Sequence, residues 1–283
     1  MIEENVNLAP YTYYKIGGPA RYFVKPKNLE ELKQACEFKE KNKLPFFILG
    51  AGSNILFNDN GFDGLVINTS LLNKTLSVDD LTIICGCSVL AIHVLRLCMK
   101  EGYSGLEFLV GIPGSMGGVF YMNAGTKIGE IKDVLKSVTI FNLKTLQTRH
   151  ETNLKYSYRK QHFLESSDLI LSGQFVVEKS EPNTVQKNIQ SLLDLRKKAQ
   201  PIDKPSCGSV FKNPQNNSAW KLIDQVGLRG KQIGMAQISP MHSNFIVNLG
   251  GARASDVRQL IELAKKLVLE KTGIELEEEV KIL

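Results

Sequence analysis

Six glycines, Gly105, Gly111, Gly114, Gly117, Gly118 and Gly125, crowd the stretch GLEFLVGIPGSMGGVFYMNAG, with Pro113 at its middle and the small residues Ser115 and Ala124 among them. Glycine lets a backbone take positive φ or approach a ligand without a Cβ, and that freedom is costly to fix on folding. A dense group of glycines therefore needs a use. Backbone N–H groups converging on an anion, most often a phosphate, are one. A second loop lies earlier, in LGAGSNILFN, where a short apolar strand breaks into Gly50, Ala51, Gly52, Ser53 and Asn54. Neither loop carries the spaced GxGxxG dinucleotide pattern or a G-x-x-x-x-G-K-[ST] phosphate loop, so those two nucleotide folds are not indicated. A pair of plain turns between buried strands would explain one such loop readily. Two of them predict a phosphorylated cofactor whose diphosphate is gripped from two sides.

The elements that must carry these loops follow from periodicity. NLEELKQACEFKEKN places Leu29, Leu32, Ala35, Cys36 and Phe38 near helical spacing and precedes the strand FFIL, a βαβ-like beginning that ends near Asn68. LTIICG alternates as a strand, SVLAIHVLRLCMKEGY reads as a helix, and SVTIFN, TLQTRH and LILSGQFVV read as strands. Alternating strands with few helices describe an α+β lobe. A helix from about Thr184 to Lys198 leads into QPIDKPSCGS, whose two prolines mark a boundary. Beyond it come the helix WKLIDQVG, the turn GLRGKQIG, the strand FIVN, a turn at Gly250 and Gly251, and a long helix. Ser255 is expected to cap the start of that helix and Gly273 its end, before a closing strand.

The chain of 283 residues is long enough for two or three subdomains. With 35 basic and 29 acidic side chains the net charge is a mild +6, spread along the chain, which does not favour nucleic acid and would suit a small anionic substrate. The N-terminal MIEENVNLAPYTYYK has acidic residues and no long apolar run, so neither a secretory signal nor a membrane span is expected there. Five cysteines, an odd number, argue against a disulfide framework and for a reducing cytoplasm. Cys85 and Cys87, at alternating positions, are expected to share one strand face as structural residues, and no metal site is expected.

Taken together, GAGSNILF, GIPGSMGGVFYMNAG, YSYRKQHF, CGSVFKNP, AWKLIDQVGLRGKQIGMAQISPMHSNFIVN and LEEEVKIL resemble the UDP-N-acetylenolpyruvoylglucosamine reductase (MurB) family, in order and over nearly the whole chain. The resemblance implies an α+β fold. It consists of a two-lobed FAD-binding domain of the vanillyl-alcohol oxidase/PCMH type (residues 1–70 and 71–198) plus a smaller C-terminal α+β substrate domain (199–283). It implies FAD held by Gly50, Ala51, Gly52, Ser53 and Asn54 in the first loop. In the second loop it implies Gly111, Ile112, Pro113, Gly114, Ser115, Gly117, Gly118, Asn123, Ala124 and Gly125. It also places YYKIGGPA near the flavin, although its glycines alone read as a turn. The implied reaction is NADPH-driven reduction of UDP-N-acetylglucosamine enolpyruvate to UDP-N-acetylmuramate, in a cytoplasmic monomer that engages no nucleic acid and no membrane.

Three catalytic residues are implied. On spacing alone Ser209, after Gly208, reads as a turn residue; the family motif makes it the proton donor. Arg159 follows two aromatics at alternating positions, which would hold its guanidinium against ring faces. Spacing does not choose among Glu277, Glu278 and Glu279, whereas the motif position before Val280 selects Glu279. Tyr158, Lys212 and Asn213 are the candidates for substrate contact, with Lys197 or Lys198 as weaker ones for the diphosphate.

The likeness also has departures. The short interval between Arg159 and Ser209 resembles the subgroup that lacks an extra substrate-covering loop bearing a tyrosine. NAGTKIGEI has Thr126 and Lys127 where relatives often continue with Ala-Tyr-Gly. Two other readings compete. An FAD-linked oxidase of the same fold often tethers its flavin through His or Cys, and no His falls in either glycine loop. A non-catalytic flavin or nucleotide module would need none of Arg159, Ser209 and Glu279.

Overall fold

The computed structural model describes residues 1–283. The chain divides into two compact units that are each discontinuous in sequence: residues 1–3, 22–51 and 64–194 form unit 1, and residues 4–21, 52–63 and 195–283 form unit 2. This differs from a simple division at 70 and 198, because residues 4–21 and 52–63 belong with the C-terminal segment. The first glycine loop is one of the crossings: Gly50 and Ala51 fall in unit 1, and Gly52, Ser53 and Asn54 in unit 2.

Unit 1 is built around an antiparallel five-stranded sheet. Its order is Thr148–Glu151, Leu135–Asn142, Asp168–Val176, Thr82–Gly86, Leu76–Asp79. The central strand Asp168–Val176 buries alternate apolar side chains on both faces, as a central strand must. On one face the helices Ala91–Glu101 and Met116–Tyr121 and the first half of Pro182–Ala199 close a core containing Ile83, Val94, Leu95, Phe120, Phe175, Val185 and Ile189. The Phe120 ring fills the space over Gly173, where a Cβ would lie 2.7 Å from the ring. A second core contains Leu32, Ala35 and Cys36 from the helix Leu29–Lys41 together with Phe141, Leu143 and Leu171. Asn28 starts that helix by accepting the Glu31 N–H at 2.9 Å. Phe46–Leu49 and Phe62–Asn68 run parallel, Leu49 opposite Asn68, and the first glycine loop leaves the end of the former.

Cys85 and Cys87 do not share a face. The strand ends at Gly86, so alternation stops there; Cys85 joins the first core and Cys87 the second. All five thiols are free and buried.

Unit 2 holds the antiparallel sheet Gln232–Ile233, Ala236–Ile238, Ile246–Asn248, packed against the helices Ala219–Gln225 and Ala254–Thr272. Val257, Leu260, Ile261, Ala264 and Val268 form the inward face of the long helix at helical spacing. Gly273 ends it in the left-handed region, donating to the Leu269 carbonyl at 2.9 Å. Its start differs from expectation. Ser255 lies inside the first turn, and the N–H groups of Ala254 and Ser255, which have no partner within the helix, are taken by the Asp59 carboxylate at 2.7 and 3.0 Å. A carboxylate suits that position because the positive end of the helix dipole lies there. The closing strand Lys281–Ile282 pairs in parallel with Ile55–Leu56. No helix is long and apolar enough to cross a membrane.

Candidate active site

The two glycine loops meet at Ser115. Ser115 precedes the short helix Met116–Tyr121, a helix that periodicity does not disclose because Gly117 and Gly118 lie in its first turn. Its Oγ is buried and has no hydrogen-bond partner. A Cβ on Gly50 would lie 2.6 Å from that oxygen and one on Gly118 3.8 Å from it. Glycine at position 50 thus leaves room for the Ser115 hydroxyl in its present orientation. In unit 2, Gly52 adopts φ +70°, and a Cβ there would collide with the Tyr11 carbonyl at 2.1 Å. A buried hydroxyl without a partner, in a wall kept free of side chains, fits an anionic group seated there, since a buried polar atom normally finds one. Within unit 1, Gly50 and Ser115 therefore fit an anionic group such as a phosphate.

Arg159 is placed by a tight turn. Tyr156–Ser157 and Lys160–Gln161 form a hairpin, and Tyr158 and Arg159 are its two linking residues. Arg159 takes φ +56°, unusual for a residue with a side chain and often seen where function demands a position. Its guanidinium, 15% exposed, donates to the carbonyls of Asn123 at 3.1 Å and Gly125 at 2.8 Å and pairs with Glu130 at 3.3 Å. The half-exposed Tyr158 ring lies 4.9 Å from the guanidinium carbon. Tyr156 has a different role: its hydroxyl donates to the Phe120 carbonyl and its ring meets Phe163 edge-on.

The NAG stretch after the helix is what holds this arginine. Asn123 is fully buried at φ +46°; its amide donates to Glu130 at 3.0 Å and to the Ser157 carbonyl at 3.2 Å, and its Oδ1 accepts from Lys132 N–H. Both amide hydrogens of Asn123 are thereby used within the protein. Gly125–Thr126 pairs with Gly129–Glu130, which brings Glu130 back to Asn123 and Arg159. Lys127 and Ile128 form the exposed tip, so the departure from the Ala-Tyr-Gly pattern falls at the end of this hairpin.

In unit 2, Ser209 and Glu279 lie on adjacent segments. Glu279 N–H donates to the Val210 carbonyl at 2.8 Å, Lys212 N–H to the Glu277 carbonyl at 2.9 Å, and Phe211 bridges Glu278. The Asn54 amide donates to the Glu279 carbonyl at 3.0 Å, which ties the end of the first glycine loop to the same segment. Both Ser209 and Glu279 are half-buried. Of the three carboxylates that spacing leaves open, Glu277 pairs with Lys212 and Glu278 with Lys265. Burial pushes the Cys207 thiol up to about 12, so this neighbour of Ser209 is a neutral packing group and not a competing acid.

Of the expected substrate contacts, Tyr158 is exposed beside Arg159, and Lys212 is engaged by Glu277. Asn213 is exposed and uses its Oδ1 to accept the Ala219 N–H at the start of a helix, at 3.0 Å. Two residues of consequence carry no sequence signal beyond a polar letter in an apolar setting: Glu130, behind Arg159, and Asn244, in SNFIVN, which is 3% exposed and bonded to the peptide of Phe211.

Two family models match the chain. The FAD binding domain model covers residues 20–145 and the model of the UDP-N-acetylenolpyruvoylglucosamine reductase C-terminal domain covers residues 200–283. Among curated relatives, UDP-N-acetylenolpyruvoylglucosamine reductase of Listeria innocua serovar 6a is 42% identical over all of this chain and 95% of the relative. That of Chlamydia abortus is 40% identical over 100% and 94% of the two chains. The crystal structure of the MurB enzyme from Thermus caldophilus superposes with a TM-score of 0.84 at 35% identity, over 100% of this chain and 98% of that one.

Proposed function

Since the chain belongs to the UDP-N-acetylenolpyruvoylglucosamine reductase family, we propose that Arg159, Ser209 and Glu279 carry its reduction of UDP-N-acetylglucosamine enolpyruvate. The family is FAD-dependent, and the loops about Gly50 and Ser115 would hold the flavin's diphosphate. When bound, the cofactor supplies a hydride obtained from NADPH. The remaining work falls to the side chains. As the vinyl ether is reduced at its terminal carbon, negative charge develops on the neighbouring carbon and its carboxylate. Fixed donors lower that barrier.

Arg159 is such a donor. Two carbonyls and one carboxylate hold its planar group in a single orientation, so little reorganisation is needed when the charge appears. Glu279 is fixed through its main chain, by Val210 on one side and Asn54 on the other. Ser209 gives the proton: its Oγ–H bond breaks, a C–H bond forms on the carbon beside the carboxylate, and the oxygen recovers a proton from water. The hydrogen bond from Glu279 N–H to the Val210 carbonyl is the observation that supports this assignment, because it joins the segment bearing the proposed donor to the segment bearing the selected carboxylate. Tyr158, Lys212 and Asn213 are the proposed contacts to the rest of the substrate. We also take the enzyme to be a cytoplasmic monomer, a location that five free thiols suit.

The experiment is to measure the two half-reactions of Ser209→Ala separately by rapid mixing. Reduction of the flavin by NADPH stays near the wild-type rate, while reoxidation by the enolpyruvyl substrate falls by about 10²–10⁴-fold, the usual worth of a positioned proton donor. Equal loss in both halves would remove Ser209 from this role.

A further inference from the structure

Ser209 is followed by two peptide groups held by one side chain. Asn244 Oδ1 accepts the Phe211 N–H at 2.9 Å and Asn244 Nδ2 donates to the Phe211 carbonyl at 2.8 Å. The Asn244 main-chain carbonyl accepts the Val210 N–H at 2.8 Å, while the Val210 carbonyl takes the Glu279 N–H. Val210, Phe211 and Asn244 are all buried. An amide is the side-chain group that can both donate to and accept from one residue's main chain in this way.

The preceding residue offers no comparable hold. Gly208 adopts φ +78° and has open space where a Cβ would be. The direction of the Ser209 hydroxyl is therefore set from its C-terminal side. The segment presenting Asn244 is in turn anchored. Arg229 donates to the Pro240 and Met241 carbonyls and to Asp224, and Ser243 donates to the same carboxylate. Ser239 N–H closes the loop on the Phe245 carbonyl at 2.8 Å.

We propose that Asn244 is a positioning residue that orients Ser209 for proton delivery by clamping the N–H and carbonyl of Phe211, two residues on. This rests on the reading of Ser209 as proton donor. Asn244→Asp keeps the size and the acceptor but cannot donate to the Phe211 carbonyl, and Asn244→Ser keeps polarity without reach. A misplacement of about 1 Å near a reacting group is enough to cost about 10²-fold.

The test combines half-reactions, a double variant and hydrogen exchange. Both Asn244 variants leave NADPH reduction of the flavin at the wild-type rate and slow reoxidation by the enolpyruvyl substrate about 10²-fold, in kcat more than in KM. Combined with Ser209→Ala, Asn244→Asp adds no further loss, since the group it positions is gone. In the substrate-free holoenzyme the Phe211 amide exchanges faster, with the Val210 amide, which the Asn244 main-chain carbonyl still holds, and the strand Ile246–Asn248 unchanged. Slowing of both half-reactions, additive losses in the double variant, or exchange that spreads through unit 2 would overturn the proposal. If Ser209→Ala collapses reoxidation and neither Asn244 variant does, only the role of Asn244 fails; if Ser209→Ala itself is silent, the reading of Ser209 fails as well.

Discussion

The Arg159 guanidinium lies 3.3 Å from the Glu130 carboxylate, and both side chains are largely buried. Glu130 also accepts from Asn123 and pairs with Lys132 at 2.9 Å, so it is the centre of the polar group behind the arginine. A cation meant to stabilise an anion in a transition state is more useful when fixed beforehand. Glu130 provides that fixation, with Asn123 and Gly125 completing it.

Arg159→Lys should therefore be costly despite conserving charge. An ammonium cannot span the two carbonyls and the carboxylate at once. The expected outcome is about a 10²-fold fall in the substrate half-reaction, with flavin content and the unfolding midpoint little altered. Rapid-mixing kinetics on the reduced enzyme measures it, and a rate within a few-fold of wild type would show that charge alone suffices.

Gly50→Ala should weaken flavin binding. The added methyl lies 2.6 Å from Ser115 Oγ, closer than packed atoms approach, so either that hydroxyl turns away or the loop shifts, and both disturb the place proposed for the diphosphate. Absorbance of the purified variant should show reduced flavin content, recovered in part by excess FAD. Full retention of flavin would contradict the assignment of this loop. Ser115→Ala tests the partner directly and should lower affinity without a steric change.

The stability of unit 2 should decline in acid. Burial opposes the charge on Asp224, but donation from Arg229 and Ser243 prevails and holds the carboxyl below its usual 3.8. Burial is the main reason that His242 sits below 6.5. With folded-state values depressed, the unfolded chain binds these protons more readily. Their contribution is present above the unfolded values and is lost as pH falls through the folded ones. The thermal midpoint is expected to be level above about pH 7, to drop below about 6.5 as His242 charges, and to drop again near the carboxylate range. A midpoint that rises on acidification across the first of these steps would reverse the sign.

Phe120→Ala should destabilise unit 1 by about 3–5 kcal/mol, the usual cost of deleting a fully buried aromatic ring. The side chain is inaccessible and covers Gly173 at the middle of the sheet. Urea unfolding measures the loss. A change below about 1 kcal/mol would mean that the core collapses to fill the space.

Much of this is legible in the amino-acid sequence. The helices Leu29–Lys41, Ala91–Glu101, Pro182–Ala199, Ala219–Gln225 and Ala254–Thr272 follow apolar spacing and boundary residues, and four strands of the five-stranded sheet, all but Leu76–Asp79, follow their alternating or apolar runs. These are local signals, written within a few turns or pleats of chain. The two glycine loops were readable for the same reason, as was the family, whose motifs are contiguous strings. What the amino-acid order alone determined was thus most of the longer elements, the cofactor class and the names of three candidate residues; the short helix Met116–Tyr121 was not among them.

Tertiary structure decided what those residues touch. That Gly50 meets Ser115, that Glu130 returns to Arg159 through a hairpin, that Asp59 rather than Ser255 receives the first N–H groups of the last helix, and that Asn244 clamps Phe211 are contacts between distant parts of the chain. A polar letter does not announce its partner. Whether it is spent on solvent, on a ligand or on a buried peptide depends on which segments folding brings beside it, because a buried donor or acceptor must find its partner wherever the packed chain supplies one.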